Sequence, residues 1–202
     1  MGGSAESRLV CALLAGGRAH RYGGRPKALL DSGQAAAMID RLIGQVTAAG
    51  IKRIVIVAND AAAYADCGRE VIGDLRQGIG PLGGIEAALA HFAGKAEAVL
   101  ILPSDLPGLG ADEIRTLATA YAAAPQKIAV AATGKDSWQP LCAIVDVGLL
   151  GEISAAIDRG ERRAWELWRR IGAAVVDFGK THAFFNINSP ADLRRWQEMM
   201  IR

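Results

Sequence analysis

The fold is set by the opening apolar run and the loop behind it, LVCALLAGGRAHRYGGRPKALL, residues 9–30. The first six residues are apolar and lead to a pair of glycines, which is typical of a short buried strand that runs into a loop. The loop holds a second glycine pair, and its basic residues include Arg18, Arg21, Arg25 and Lys27. Glycine backbone lets N–H groups approach an anion, and the added charge fits a polyphosphate. A flexible, solvated basic turn has the same composition, so this stretch alone leaves both interpretations open.

Short apolar runs alternate along the chain with segments of helical periodicity. Strands are predicted at residues 9–14, 54–57, 70–72, 98–102, 128–131, 141–145 and 173–176. Helices are predicted around residues 39–46, 85–92 and 114–121, over 148–171 with a break near Gly160, and from Ser189 onwards. This alternation predicts an α/β fold in which helices cover both faces of a mostly parallel sheet, giving three layers. The 202 residues suit a single domain, 1–202, without a linker.

Composition and charge exclude several classes of protein. The formal net charge of +2 is too small to make nucleic acid the expected main partner. No run approaches the roughly 20 apolar residues that a membrane helix needs, and the first residues lack the apolar core of a signal peptide. We therefore expect a cytoplasmic protein that does not use a membrane. Of three cysteines, Cys11 and Cys142 lie in apolar runs and are predicted to be buried.

Ligands bind sheets of this class beyond the carboxyl ends of the strands, so the loops after residues 14, 57, 72 and 102 form the candidate site. Asn59 follows the second strand, where its amide fits a base or a ribose, although a turn-forming asparagine gives the same pattern. Asp74 opens a glycine-rich loop that either aims a helix N-terminus at a ligand or only connects two elements. Asp105 lies between two prolines, where it suits either Mg²⁺ or a simple turn. The two common glycine-rich phosphate patterns are absent from the first loop.

Taken together, these motifs resemble one family, the molybdenum cofactor guanylyltransferases of the nucleotidyltransferase superfamily. LeuAlaGlyGly at 14–17, followed by Arg21 and Lys27, is similar to the glycine, arginine and lysine signature of the superfamily. More specific motifs are GlyProLeu-x-Gly at 80–84, Pro-x-Asp-x-Pro at 103–107, GlyGluArgArg at 160–163, ValAspPhe at 176–178 and Phe-x-Asn-x-Asn-x-Pro at 184–190. They follow one another in order over nearly the whole chain.

The resemblance implies roles for the residues at matching positions. Nucleotide-binding residues are expected to be Leu14, Ala15, Gly16, Gly17, Lys27, Asn59, Asp74, Gly80, Pro81, Leu82 and Asp105. Lys27, Arg21 and Asp105 are expected to be catalytic, with Asp105 as the ligand of a Mg²⁺ cofactor. Asn186, Asn188, Arg162 and Arg163 are expected to bind the acceptor. Where relatives usually have Gly-Lys-Pro-Leu, residues 33–36 read Gly-Gln-Ala-Ala, which leaves acceptor contacts at that point open.

The implied fold is a Rossmann-like nucleotidyltransferase domain, and the implied reaction transfers GMP from GTP to the terminal phosphate of molybdopterin, releasing pyrophosphate. The implied partners are GTP, molybdopterin or the molybdenum cofactor, molybdopterin-handling proteins and apo-molybdoenzyme chaperones. Three alternatives remain: a relative that transfers CMP to the same pterin, a sugar-1-phosphate nucleotidyltransferase, and a carrier of the cofactor without catalysis. The GlyProLeu pattern favours guanine, the C-terminal motifs disfavour a sugar-phosphate enzyme, and Lys27 with Asp105 disfavours a carrier.

Overall fold

A computed structural model describes residues 8–16, 26–31 and 37–200 of the chain. Its seven strands are β1 Leu9–Leu14, β2 Ile54–Val57, β3 Glu70–Ile72, β4 Ala98–Pro103, β5 Ile128–Ala132, β6 Trp138–Asp146 and β7 Ala174–Asp177. Its six α-helices are α1 Met38–Ala48, α2 Pro81–Phe92, α3 Ala111–Ala123, α4 Leu150–Asp158, α5 Ala164–Ile171 and α6 Pro190–Met200. Short 3-10 turns lie at Lys27–Leu29, Ala62–Cys67 and Val147–Leu149. The predicted alternation of strands and helices is confirmed.

All seven strands form one sheet in the order β3-β2-β1-β4-β6-β5-β7. β1 is central and pairs in parallel with β2 and β4, with Cys11 opposite Ile54 on one side and Leu100 on the other. β2 also pairs in parallel with β3, and β5 with β7. β6 runs antiparallel to both of its neighbours, β4 and β5. The mostly parallel sheet is therefore confirmed, and the carboxyl ends of β1 to β4 meet at one edge.

Helices cover both faces of the sheet, which confirms the three layers. On one face α1 and α3 pack against alternate strand residues such as Cys11 and Leu13. On the other face α2, α4 and α5 pack against the residues between them, such as Val10 and Ala12. This alternation follows from the two-residue period of a strand, since both faces of a covered sheet bury apolar side chains. Cys11 and Cys142 lie in the core as predicted, and burial raises the pKa of both thiols.

One strand in the C-terminal half is longer than predicted. β6 covers nine residues rather than the five expected, because its first residues pair with β5 beyond a shift in register after Val130. The helical stretch 148–171 is broken near Gly160 as predicted, and Gly160 there takes a φ of 89° that favours glycine. Among the described helices, none combines the length and the apolar composition required to cross a membrane.

The last helix begins as its sequence predicts. Ser189 donates a hydrogen bond from Oγ to Oδ2 of Asp192 (2.9 Å), and the backbone N–H of Asp192 donates back to that Oγ (3.2 Å). This reciprocal cap fixes the point at which the chain enters α6. Hydrogen bonding from Ser189, and then from the backbone of Asn188, lowers the pKa of the Asp192 carboxyl. Trp196 of α6 is buried against Met38 and Ile187, which ties the helix to the rest of the fold.

Candidate active site

Three polar residues from distant parts of the chain meet at the carboxyl edge of β1 and β4. Lys27 begins the 3-10 turn after the first loop, and its Nζ donates to Oδ2 of Asp105 and to Oδ1 of Asn188, at 3.0 Å in the second case. The Lys27 side chain is 27% exposed and that of Asp105 is 10% exposed. We call Lys27, Asp105 and Asn188 the lysine cluster. A partly buried cation and anion at the end of parallel strands form a polar site at the place where such folds bind ligands.

Backbone contacts from two directions hold Asp105 in place. The N–H of Ser104 donates to the carbonyl of Leu14 (3.1 Å), and the carbonyl of Asp105 accepts from the N–H of Ile187 (3.1 Å). Oδ1 of Asp105 is buried and has no hydrogen-bond partner in the described part of the chain. A buried carboxylate oxygen without a partner is costly, so this atom is a candidate for contact with a cation or another donor that binds there.

Asn188 owes its position to the start of α6. Its backbone N–H donates to Oδ2 of Asp192 (3.0 Å), the same atom that accepts from Ser189. The preceding residue, Ile187, is fully buried, and Phe185 stacks on Trp196 with ring centroids 6.0 Å apart. Asn186 lies half-buried in this segment, and its amide has no hydrogen bond to the residues that the structure describes. The segment that carries both predicted acceptor asparagines therefore lies against Asp105.

A second polar pair lies at the ends of β2 and β3. Nδ2 of Asn59 donates to Oδ2 of Asp74 (2.9 Å), and the backbone N–H of Asp74 donates to Oδ1 of Asn59 (3.0 Å). Asn59 is exposed and Asp74 is half-buried at the carboxyl edge. The structure thus joins two residues that were assigned to the nucleotide separately. The two hydrogen bonds between them fix the orientation of both polar groups.

The N-terminus of α2 lies between this pair and β1. Gly80 precedes the helix with a φ of 76°, and Pro81 occupies its first turn. A Cβ on Gly84 would lie 3.1 Å from Cδ2 of Leu14 and 3.5 Å from Oδ1 of Asp74. Because Gly84 has no side chain, the backbone of the helix lies close to both residues. Leu82, the second residue of the helix, is fully buried. The orphan N–H groups of a helix N-terminus favour an anion at this place.

The backbone at the end of β1 is fixed by β2 and by Tyr64. The N–H of Ala15 donates to the carbonyl of Val57 (2.9 Å), and the Tyr64 hydroxyl donates to the carbonyl of Ala15 (3.1 Å). Burial raises the pKa of Tyr64 to about 12, so the hydroxyl keeps the proton that it donates. No sequence motif pointed to this tyrosine. Gly16 is described and exposed, whereas the predicted site residues Gly17 and Arg21, and residues 33–36, lie outside the described residues.

The two predicted acceptor arginines lie in the loop between α4 and α5, at the same edge of the sheet. Arg162 donates from Nη1 to the carbonyls of Ile157 (2.9 Å) and Glu161 (2.8 Å), which holds the loop itself. Arg163 is exposed and pairs with Glu166 at 3.0 Å. The structure brings neither guanidinium into contact with the lysine cluster.

A network that the sequence analysis missed joins the loop after β3 to α2 and α4. Arg76 lies in that loop, with Nη2 at 3.0 Å from Oε1 of Glu86 and Nη1 bonded to Oδ1 of Asp158. Oε1 of Glu86 also accepts from the Ser154 hydroxyl (2.7 Å). Asp158 ends α4, so its bond to Arg76 places the loop between α4 and α5 at the carboxyl edge. No sequence motif distinguished Glu86 from the exposed glutamates of other helices.

A mostly parallel sheet with a glycine-bounded helix N-terminus and a lysine–aspartate pair at its carboxyl edge defines a nucleotide-binding α/β protein. Proteins with a MobA-like NTP transferase domain match this chain over residues 11–175. The chain belongs to that family, the MobA-like nucleotidyltransferases. This confirms the family that the motifs indicated, together with its fold.

Two relatives and one solved structure show how far the similarity extends. The molybdenum cofactor guanylyltransferase of Shewanella piezotolerans is 32% identical over 189 residues, which is 92% of this chain and 90% of that protein. The protein of the same name from Yersinia pestis is 32% identical over 199 residues, 96% of this chain and 97% of its own. The molybdopterin-guanine dinucleotide biosynthesis protein A of Archaeoglobus fulgidus shares the fold, with a TM-score of 0.73, 24% identity, and coverage of 95% of this chain and 98% of that one.

Proposed function

We propose that this nucleotidyltransferase transfers GMP from GTP to the terminal phosphate of molybdopterin and releases pyrophosphate. The observation that carries the proposal is the lysine cluster, in which a cation and a nearly buried carboxylate face the segment with both predicted acceptor asparagines. The names of the full-length relatives support the choice of guanine and of the pterin cofactor.

The obstacle to this reaction is charge repulsion, because both reactants are phosphates. An oxygen of the acceptor phosphate forms a bond to the α-phosphorus of GTP, and the bond from that phosphorus to the bridging oxygen breaks, leaving its electron pair on pyrophosphate. The second pKa of a phosphate monoester is about 6, so the attacking group is already ionised at neutral pH and no general base is needed. The protein then acts by positioning the two phosphates and by stabilising the developing charge.

Lys27 is the described residue best placed to stabilise that charge. Its ammonium group already donates hydrogen bonds to Asp105 and to the Asn188 amide. A phosphate oxygen that enters this site would accept a hydrogen bond from the same ammonium group. Arg21, from the same first loop, is proposed to share the charge. Asn59 and Asp74 are proposed to contact the guanosine, and Asn186, Asn188, Arg162 and Arg163 to hold the pterin substrate.

Asp105 is proposed to hold Mg²⁺. Its buried Oδ1 has no partner among the described residues, and carboxylate oxygens are the ligands that Mg²⁺ prefers. Within the described ranges, no three His, Cys, Asp or Glu side chains come close enough to form a metal site of their own. Such a cation would therefore be bound by Asp105 together with phosphate oxygens of the nucleotide, and would neutralise charge on the leaving group.

The test is an incubation of the pure protein with Mg²⁺, molybdopterin and each of GTP, CTP, ATP and UTP in turn, with pyrophosphate release as the readout. The proposal expects release with GTP. Release of pyrophosphate with CTP alone would instead identify this protein as a transferase of CMP to the same pterin. Binding of the pterin without release from any nucleotide would identify a carrier.

The variant Asp105→Asn tests the role of the carboxylate. It keeps the size of the side chain but removes its charge, and we expect kcat to fall by about 10²–10³-fold, the usual effect of removing one preorganised electrostatic group. The control is Asp112→Asn, which removes the charge of another aspartate paired with a cation, at an exposed position of α3. Turnover of Asp105→Asn at the rate of this control would show that Asp105 holds no catalytic cation.

A further inference from the structure

The Arg76 clip, formed by Arg76, Glu86, Asp158 and Ser154, has a buried carboxylate at its centre. The Glu86 side chain is 3% exposed, and it faces α4 from the middle of α2. One of its oxygens accepts from Arg76 and from Ser154, while the other is buried with no partner among the described residues. In the described part of the chain, Arg76 is the one cation paired with Glu86.

This burial ties Arg76 to the protein interior more firmly than a surface ion pair would. If the guanidinium swung out to solvent, a carboxylate would remain buried without a cation, which is one of the costliest arrangements in a folded protein. Arg76 also bonds Asp158 at the end of α4, so its planar group bridges two helices. The loop that carries Arg76 is therefore attached to α2 and α4 at once.

The clip lies two residues from Asp74. A Cβ on Gly83 would lie 3.2 Å from the carbonyl of Arg76, and one on Gly84 would lie 3.5 Å from Oδ1 of Asp74, so the loop is folded closely onto α2. At its other end the loop is held by the two hydrogen bonds between Asp74 and Asn59. Asn59 is exposed and Asp74 is half-buried, and the clip attaches the loop that follows Asp74 to the buried Glu86 of α2 and to Asp158 of α4.

We propose that Arg76 is a positioning residue for nucleotide selection: the clip fixes Asp74, and through it Asn59, in the orientation that reads the base. This rests on the proposed function only in taking the Asn59–Asp74 pair as a nucleotide contact. The side-chain partners of Arg76 are Glu86 and Asp158, and in the described structure it does not contact the lysine cluster, where the phosphates are proposed to react. Its loss therefore weakens base reading in the ground state and the transition state alike, and leaves the chemical step intact.

The experiment compares Arg76→Ala, Arg76→Lys and Glu86→Gln with the control Arg115→Ala. Arg115 likewise bridges two helices, from Asp112 of α3 to the carbonyl of Ala48, but on the opposite face of the sheet. Equilibrium binding of GTP, CTP, ATP and UTP is measured by calorimetry with Mg²⁺, and kcat and KM are measured by pyrophosphate release. Circular dichroism and thermal melting establish that each variant is folded, and if Arg76→Ala is not, the two milder variants decide the question.

For Arg76→Ala we expect KM for the preferred nucleotide to rise by about tenfold or more, with kcat within about threefold of the wild type, which is the pattern of lost uniform binding. The preference for that base over the others should shrink by a similar factor. Arg76→Lys should restore part of both, and Glu86→Gln should shift both in the same direction as Arg76→Ala.

Three results would overturn the inference: Arg76 variants that bind and select nucleotides like Arg115→Ala, a fall in kcat with KM unchanged, or a wild-type protein that does not distinguish the bases. A wild-type preference for CTP would instead contradict the proposed function. The clip would still be tested in that case, because the loss of preference is measured relative to whichever base the wild type selects.

Discussion

Replacing Gly108 with alanine should strain the contact between the Asp105 loop and the segment that carries Asn188. A Cβ at this position would lie 2.5 Å from the carbonyl oxygen of His182 and 2.9 Å from the Trp196 ring, whereas ordinary contact begins near 3.4 Å. The closest of these atoms belongs to backbone, so the chain around residue 182 has to move by about 1 Å or the new methyl group is compressed. The effect is steric and does not depend on an unusual φ.

The magnitude follows from the cost of overpacking a close contact. Forced insertion of one carbon costs about 1–3 kcal/mol, and a change of 1 kcal/mol shifts the melting temperature of a chain this long by about 2–4 °C. We therefore expect Gly108→Ala to melt about 2–12 °C below the wild type. Because the strained segment continues to Asn188, kcat should also fall by about 10- to 100-fold, the cost of a displacement near 1 Å at an active site.

The assay is thermal melting followed by circular dichroism, together with turnover at a temperature where all variants are folded. Gly44→Ala is the matched control, because Gly44 lies on the exposed side of α1 and a Cβ there meets nothing within 4 Å. This control should gain about 0.5–1 kcal/mol, since alanine favours a helix over glycine. If Gly108→Ala melted with or above the wild type, the packing of residues 182–183 on Gly108 would be wrong, and so would the placement of Asn188 that depends on it.

Two further predictions concern stability. Trp168 is fully buried and donates from Nε1 to the carbonyl of Pro140 at 2.7 Å. Trp168→Phe should therefore lower the free energy of unfolding, measured in urea, by about 1–3 kcal/mol, whereas Trp165→Phe, at a more exposed position, should change it little. Equal losses in the two variants would contradict the hydrogen bond. Hydrogen bonds lower the pKa of Asp192, so its contribution to stability is present above its ordinary pKa of 3.8 and is lost as the pH falls through the lower folded value. The urea midpoints of the wild type and Asp192→Asn should therefore differ most at neutral pH and converge below pH 3.8. A difference that grew in acid would show that folding raises the pKa of Asp192 instead of lowering it.

Much of the fold was predictable because the central strands β1, β2 and β4 are buried on both faces. Continuous apolar runs therefore marked these three strands, and the glycine pair after β1 and the proline that ends β4 marked where the chain turns. The start of α6 was predictable for a local reason, since Ser189 and Asp192 cap within a single turn. Site residues could be assigned to the carboxyl edge by the same logic, because a parallel strand shows which of its ends carries the ligand loop.

The direction of β6 was not predictable, because a buried strand has the same apolar pattern whether it runs parallel or antiparallel to its neighbours. The pairings inside the site depend on topology in the same way. Lys27 meets Asp105 across 78 positions of sequence and Asn188 across 161, and nothing local to any of them records the contact. Glu86 was missed for a related reason: one glutamate in an otherwise apolar helix stays ambiguous until the packing of α4 shows that it is enclosed.

The backbone hydrogen bond from Ile187 to Asp105 has a consequence for the nascent chain. Translation delivers β1 to β4 first, and at about 5–20 residues per second the segment around Ile187 leaves the ribosome several seconds after Asp105 has done so. During that interval the central strands are able to pair while Asp105 still lacks its backbone contact with Ile187. The proposed active site is therefore completed late, when the segment with Asn188 docks, and a chain that ends after β4 but before Asn188 holds Lys27 and Asp105 without the third member of the lysine cluster.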